Sequence, residues 1–458
     1  MATRRGALAL ILTILLVAAC AGGDSEGGDT TVGGTSDGAT TTAGETTETT
    51  AATGTTAGGD ELPTLHIGIP LPFTGVVAES AEEMRQTFEM YVEQQGGTLG
   101  GLPVELTFED TETDAELVVT KTRKLIDEDQ VHLLSGPMLA FEGLAMLDSV
   151  NQAGIALVGQ TGVAADDYTR LDTPTLTAAA KHTASQETMP LGTYAYDTLG
   201  YRTVATLGQD YAWGYQTVGG FQYAFEAAGG DVVQKLWAPI GTTDFAPFVN
   251  DINQDVDAVY VTLIGADIPR FVQAYSDFGL KENIPMLTSE DLVAQDAIRF
   301  YSGDPAVGIV GITPFTANLD RAEMQAFVEA YEERTGNIPT FWGESSYVAA
   351  MVIDRSLAYV SEQNGIAPAD LPTWVRENGQ AFADASKEID LSDAPSSAIT
   401  VDDYNRQIRD FYIVELVDDG GTITDSLVET VPEVNQFWTF DEAAFLADPL
   451  FDRENPPE

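Results

Sequence analysis

Between Leu65 and Asp110 the chain runs apolar strand, tight turn, amphipathic helix, double glycine and strand, an order that few folds accommodate. Leu65, Ile67, Ile69 and Leu71 form an apolar, partly β-branched run that reads as a buried strand, and Pro72-Phe73-Thr74-Gly75 ends it. Met84, Phe88, Tyr91 and Val92 recur at helical spacing and predict a helix over about 79–95. Gly96 and Gly97 stop that helix, because glycine enters the left-handed conformation without strain. A second strand from Val104 to Phe108, ending at Glu109-Asp110, completes a βαβ unit. Parallel strands with right-handed crossovers follow from such units.

The same order continues downstream. Strands are expected at 131–135 and 155–158, and helices over 114–128 and 140–152. At Thr203 the pattern restarts, with a strand over 203–207, a Gln-Asp-Tyr-Ala-Trp-Gly turn, and a helix carrying Val218, Phe221 and Phe225. Strands follow at 232–237, 258–263 and 284–287; Thr243 or Asp244 caps one intervening helix, and Ile268, Phe271, Val272 and Tyr275 mark another. The helix stops EQQGG (93–97) and EAAGG (226–230) fall at the same point in each half, which two similar α/β lobes explain. After a strand at 309–313, helical patterns return over about 320–335, 343–362 and 369–383. Strands at 411–416 and 423–428 precede an acidic end, where Phe437 and Trp438 are expected to dock on the body. Ligands of parallel sheets bind beyond the carboxyl ends of the strands, and two lobes can face those ends across a cleft.

At 458 residues there is chain enough for more than one core. The formal net charge of −51 repels nucleic acid and anionic membrane, while a small pocket can still carry the opposite local charge. A single cysteine excludes an intramolecular disulfide. It ends the segment MATRRGALALILTILLVAAC, in which Arg4 and Arg5 precede an apolar stretch (Ala7 to Val17) and the small residues Ala18-Ala19, the three parts of an export signal. The apolar stretch is shorter than the ~20 residues that span a bilayer. Removing residues 1–19 takes two arginines and no acids with it, so the charge becomes −53. Residues 20–63 are rich in Thr, Gly and Asp and are expected to form a disordered tether, roughly 35 Å end to end.

Val17-Ala18-Ala19-Cys20 resembles the lipobox of bacterial lipoproteins, which implies cleavage before Cys20 and acylation of it. Further along, IGIPLPFTG (67–75), the glycine-rich run into LPVEL (96–106) with its acidic turn, SGPMLA (135–140), DYAWG (210–214), TDFAPFVNDI followed by DAVYV (243–261), and ITVDDYNRQ (399–407) stand in a telling order. Together they resemble the branched-chain amino-acid (Leu/Ile/Val-binding) class of ABC-importer substrate-binding proteins, over about 65–417. The resemblance implies an α/β fold of two Rossmann-like lobes with mostly parallel sheets, joined by a three-segment hinge (the type I periplasmic-binding fold). One lobe would comprise 64–180 plus 314–398, the other 181–313 plus 399–458. It also implies closure on a small molecule, an amino acid or a related amide or carboxylate, and delivery to an ABC permease. The expected protein is an extracytoplasmic monomer, held to the membrane through Cys20, with no cofactor. A ligand-sensing receptor of the same fold, signalling through a partner, is the alternative.

The resemblance also suggests pocket residues. The loop carrying Met138, Leu139 and Ala140 stands where the family holds a ligand carboxylate at a helix N-terminus; Ala140 replaces a frequent serine, so a hydroxyl is lost there. Gln160 and Thr161 form the second such loop, Thr161 reading either as a ligand hydroxyl or as a turn residue. Trp213 stands where a tyrosine commonly covers the ligand and offers a larger face for stacking; the competing reading is a core aromatic. Glu290 matches the acid that pairs with a ligand ammonium, with Asp291 as the register alternative and a helix-capping role as the competitor. Gly265 and Asp267 follow a central strand and are expected to border the cleft, and Phe73 and Trp342 read equally as aromatic walls or as core.

Nothing in the sequence has the spacing of a catalytic or metal motif. His66, His132 and His182 are scattered, without H-E-x-x-H, a Walker loop, a dinucleotide fingerprint or a nucleophile elbow. His182 lies near the first lobe crossing and reads either as a residue reaching the cleft or, in the competing reading, as a surface histidine. The chain is therefore expected to bind and not to catalyse.

Overall fold

The computed structural model describes residues 62–301 and 304–453. The expected export signal, Cys20 and all but the end of the 20–63 tether lie outside the described residues. Among those described, no helix is long and apolar enough to cross a membrane.

Two sheets form the frame. The first contains β1 (Leu65–Leu71), β2 (Thr98–Leu99), β3 (Leu102–Asp110), β4 (Leu133–Gly136), β5 (Leu157–Gly159) and β6 (Leu176–Thr177) in spatial order β2-β3-β1-β4-β5-β6. All its pairings are parallel except the short β2–β3 edge. The second contains β7 (Thr203–Gln209), β8 (Asp231–Ala238), β9 (Ala258–Thr262), β10 (Met286–Thr288), β11 (Val310–Thr313), β12 (Thr400–Val401), β13 (Gln407–Asp419) and β14 (Thr422–Val434). Its order is β12-β13-β11-β10-β9-β7-β8, with β14 on β13, parallel from β8 through β11 and antiparallel beyond. In both sheets the second long strand lies outside the first and the third on its other side. The chain thus reverses direction across each sheet between β1 and β4, and again between β7 and β9.

The helices are α1 (Ala78–Gln94), α2 (Ala115–Arg123) and α3 (Ala140–Ala153) in the first half, and α4 (Ala184–Asp197), α5 (Ala212–Ala228), α6 (Ala246–Asp251), α7 (Asp267–Asp277), α8 (Glu290–Val293) and α9 (Gln295–Ile298) in the second. After these come α10 (Ala322–Thr335) and α11 (Phe341–Asn364). Leu65, Ile67, Ile69 and Leu71 of β1 are fully buried, each contributing about 2 kcal/mol relative to exposure. Helix α11 returns to the first sheet and packs along α1. There Asp354 accepts from Tyr91 Oη (2.9 Å) and from the Gly100 amide (2.6 Å). Gly100 has φ +55°, and a Cβ on it would come within 2.4 Å of Leu357, so only glycine passes this point.

Besides short strands and helical turns that the sequence reading did not include, such as β2, β6, β12, α8 and α9, three features depart from the expected elements. Helix α4 has no counterpart in the sequence reading: every residue from Ala184 to Gly192 is buried, so no polar face marks its period, and Pro190 and Gly192 argue against it locally. It forms because Thr183 and Gln186 make a reciprocal cap and because glycines let α5 approach it closely. The helix expected near 369–383 is two short ones, Leu371–Glu377 and Gly379–Ala385, broken at Asn378. The strands at the end are longer than expected, thirteen residues each, joined at Gly420 and Gly421, whose positive φ values suit a tight hairpin. Phe437 is buried against Tyr404 and Phe445, and Trp438 donates its indole N–H to Thr193 (3.2 Å).

Candidate functional site

Loops at the carboxyl ends of β4, β5, β7, β9 and β10 converge on one cavity between the two sheets. It is lined by Met138, Leu139, Ala140 and Thr161 from the first sheet and by Tyr211, Trp213, Ile264, Glu290 and Asp291 from the second. Lys181, on the segment from β6 to α4, and Trp342, in the first turn of α11, complete the lining. This is where open α/β sheets bind ligands. The cavity retains about 10 Å³ of free volume, room for about one water.

On the first-sheet side, α3 begins at Ala140 with Glu142 folded back on its own N-terminus. Glu142 accepts from the Leu139 amide (3.3 Å) and from Thr111 Oγ1 (2.5 Å), and burial pushes its carboxyl up to about 7. Thr161 donates its hydroxyl proton to Met138 O (2.8 Å), tying the two loops together and leaving its oxygen as an acceptor. Gln160 turns away from the cavity, donating to Ser135 Oγ (3.0 Å) behind the loop.

On the second-sheet side, Tyr211 and Trp213 stack with centroids 6.0 Å apart, and Phe141 of α3 meets Tyr211 edge-on across the lobes at 6.0 Å. The turn that presents them needs Gly214, since a Cβ there would sit 2.0 Å from Gln209 O. Gln209 and Asp267 brace the strand ends from behind. Gln209 accepts from the Ile264 amide (3.2 Å), and Asp267 accepts from Gln209 Nε2 (3.3 Å) and the Gly241 amide (2.8 Å).

The floor is charged. Lys181 Nζ lies 2.5 Å from Glu290 Oε1 and 5.1 Å from the centre of the Phe341 ring. Glu290, 1% exposed, donates its backbone N–H to Glu187 Oε1 (2.7 Å), and its Oε2 accepts no hydrogen bond. Burial raises the carboxyls of Glu187, Glu290 and Asp291, opposed at Glu290 by Lys181. Further along the floor, Arg409 pairs with Glu344 (3.0 Å), both fully buried.

Of the residues singled out in the sequence, Met138, Leu139, Ala140, Thr161, Trp213, Glu290 and Trp342 line the cavity. Gln160 and Asp267 stand behind it as braces. Phe73 packs edge-on against Phe108 (6.0 Å) outside it, and Gly265 belongs to an outer groove. His182 is 1% exposed, not a surface residue: its ring packs on Phe411 (4.9 Å) beside Glu187. Lys181, Tyr211 and Ile264 went unread. For Lys181 a signal existed, since a lone cation between Ala178-Ala179-Ala180 and a helix start is out of place in so acidic a chain.

The outer groove, about 530 Å³, lies at the cleft mouth between Val76, Gly265, Arg270 and Phe300. Two contacts cross it, the Glu79–Arg299 ion pair (2.7 Å) and Ser80 Oγ to Asp296 (3.2 Å).

Residues 64–422 match the model of a family described as periplasmic binding protein. The chain is similar to Leu/Ile/Val-binding protein homolog 6 of Brucella melitensis, 24% identical over 75% of this chain and 91% of that protein. Among solved structures it is similar to an ABC transporter substrate-binding protein from Sphaerobacter thermophilus, 30% identical, covering 82% of this chain and 99% of that one with a TM-score of 0.72. It also shares its fold with a solute binding protein of an ABC transporter from Rhodopseudomonas palustris BisB5 in complex with 3,4-dihydroxybenzoic acid (23% identical, 81% and 98% covered, TM-score 0.73). The chain belongs to the periplasmic binding protein family, two-lobed α/β proteins of ABC-transporter type that bind solutes and are not enzymes.

Proposed function

We propose that the protein captures a small carboxylic acid with an aromatic or apolar body between its lobes and delivers it to an ABC permease. The observation that carries this reading is Lys181, a buried cation in a cavity whose walls are Trp213, Tyr211 and Trp342. In an acidic protein that ammonium is the group suited to a ligand carboxylate, and flat aromatic walls suit a flat ligand. The 3,4-dihydroxybenzoic acid in complex with the R. palustris BisB5 solute binding protein, which shares this fold, supports the same chemistry. Ala140, by withholding a hydroxyl, shifts anion binding from the α3 loop toward Lys181. Met138, Leu139 and Thr161 shape the apolar end, while Glu290 holds Lys181 in place until the ligand arrives. The protein works outside the cell membrane as a monomer, tethered by acylated Cys20 and the 20–63 segment.

Glu290 also favours a second ligand class. An α-amino acid would draw Glu290 from Lys181 to its own ammonium. A thermal-shift comparison of benzoate, hydroxybenzoates, benzamide, leucine and phenylalanine separates the two. A ligand at 100 times its Kd stabilises the folded protein by about 2.7 kcal/mol. A shift with the benzoates alone is expected; a shift with the amino acids alone would overturn the proposal.

A further inference from the structure

We propose that His182, Glu187 and Glu290 form a binding site for a divalent transition-metal cation, of Zn²⁺ type, at the floor of the cleft. They converge from three parts of the chain: the segment after β6, the first turn of α4, and the first turn of α8. Among the described residues this is the one group of three His, Cys or acidic side chains with the geometry to hold an ion. His182 Nε2 lies 3.3 Å from Glu187 Oε2 and 3.5 Å from Glu290 Oε2. Bonds of about 2.0–2.1 Å in a tetrahedron set ligand atoms about 3.3–3.4 Å apart, so the two separations match its edges. A nitrogen ligand and so few oxygens disfavour Ca²⁺ or Mg²⁺.

Two observations beyond proximity point to an ion. Glu290 Oε2 is fully buried and accepts no hydrogen bond, although it faces this point. Gln407 fits its surroundings with its amide nitrogen donating to Ala179 O (3.3 Å) and its oxygen accepting from the His182 backbone N–H. So oriented, that oxygen also lies 3.4 Å from His182 Nδ1, which favours the ring proton there. Nε2 then presents a lone pair to two carboxylate oxygens, an arrangement that a cation resolves. A carbonyl on the other ring nitrogen is the usual support for a metal-bound histidine. Charge agrees: among the described residues, Lys181 is the one cation set directly against Glu187, Glu290 and Asp291, since Arg409 is engaged by Glu344. A divalent ion would bring that group to neutrality.

The test uses the full chain, freed of metal by chelation and titrated with Co²⁺ by visible absorption and with Zn²⁺ by calorimetry. One Co²⁺ per chain with the intense bands of four-coordinate geometry, displaced by Zn²⁺, is expected. Glu187→Gln and His182→Gln are each expected to weaken Zn²⁺ binding at least about tenfold. Weak binding at many surface carboxylates, unaltered by either substitution, would overturn the site. So would the absence of four-coordinate Co²⁺ bands in the unaltered protein, a readout that does not depend on the variants folding.

Discussion

Lys181 and Glu290 meet at 2.5 Å at the floor of the cavity, one from the segment between β6 and α4 and the other from the first turn of α8. Both are at most 4% exposed at the side chain, so neither has water as a substitute partner. Removing one partner of such a pair strands the other, at about 3–5 kcal/mol. Lys181→Met is therefore expected to lower unfolding stability by an amount of that order, and Lys181→Met with Glu290→Gln to recover much of it. Urea denaturation of the two proteins measures the difference. A single substitution as stable as the parent would contradict the pairing.

Trp213 presents a flat face to the cavity, stacked on Tyr211. Aromatic stacking contributes about 0.5–1.5 kcal/mol beyond area burial. Trp213→Ala is expected to weaken ligand binding by roughly tenfold or more, and Trp213→Phe by less. Calorimetric titration checks this, and unchanged affinity in the alanine variant would return Trp213 to a purely structural role.

Stability should fall as pH rises. Burial, with Asp296 across the lobe interface, pushes the Glu83 carboxyl up to about 8, and burial pushes Glu142 to about 7. Both folded values exceed the unfolded value near 4.5, so the folded state holds more protons between them. Their stabilisation is complete below pH ~4.5 and is lost as pH passes about 7 to 8. Thermal melting is expected at lower temperature at pH 8.5 than at pH 5.5. Glu83→Gln keeps an acceptor for Thr340 and Gly343 while removing the charge, and should flatten that slope. An unchanged slope in this variant would contradict the assignment.

Helices α4 and α5 touch through glycines. A Cβ at Gly192 would lie 2.3 Å from Phe221 O, and one at Gly220 2.6 Å from Ser185 Cα. Gly192→Ala is expected to cost about 1–3 kcal/mol by overpacking, read by urea denaturation, with no loss in circular dichroism below the transition. A neutral effect would mean that the helices separate more easily than their packing indicates.

Where periodicity was clean the sequence was readable. The alternation from Leu65 to Asp110 announced β1, α1 and β3, and the two double-glycine stops announced the second lobe. Met138, Trp213 and Glu290 were legible as cavity-lining residues because each sits within a few residues of a strand end, in the loop or first helical turn that follows it. Helix α4 was not, since burial on all sides erases the polar stripe by which a helix is recognised. Lys181 and His182 lie on the segment leading into that same helix, so nothing local showed that they turn inward. Gln160 and Asp267 were misplaced for a different reason. Sequence identifies the loop, whereas register within it decides whether a side chain lines the cavity, as Thr161 and Ile264 do, or braces the strand behind it, as Gln160 and Asp267 do.

The most direct test is calorimetric titration of benzoate and of leucine into the parent protein and Lys181→Met. Saturable binding of one benzoate per chain, weakened at least about tenfold by the substitution, with no heat from leucine, is the expected result. Leucine binding that survives Lys181→Met while benzoate gives none would contradict a carboxylic-acid receptor built around Lys181.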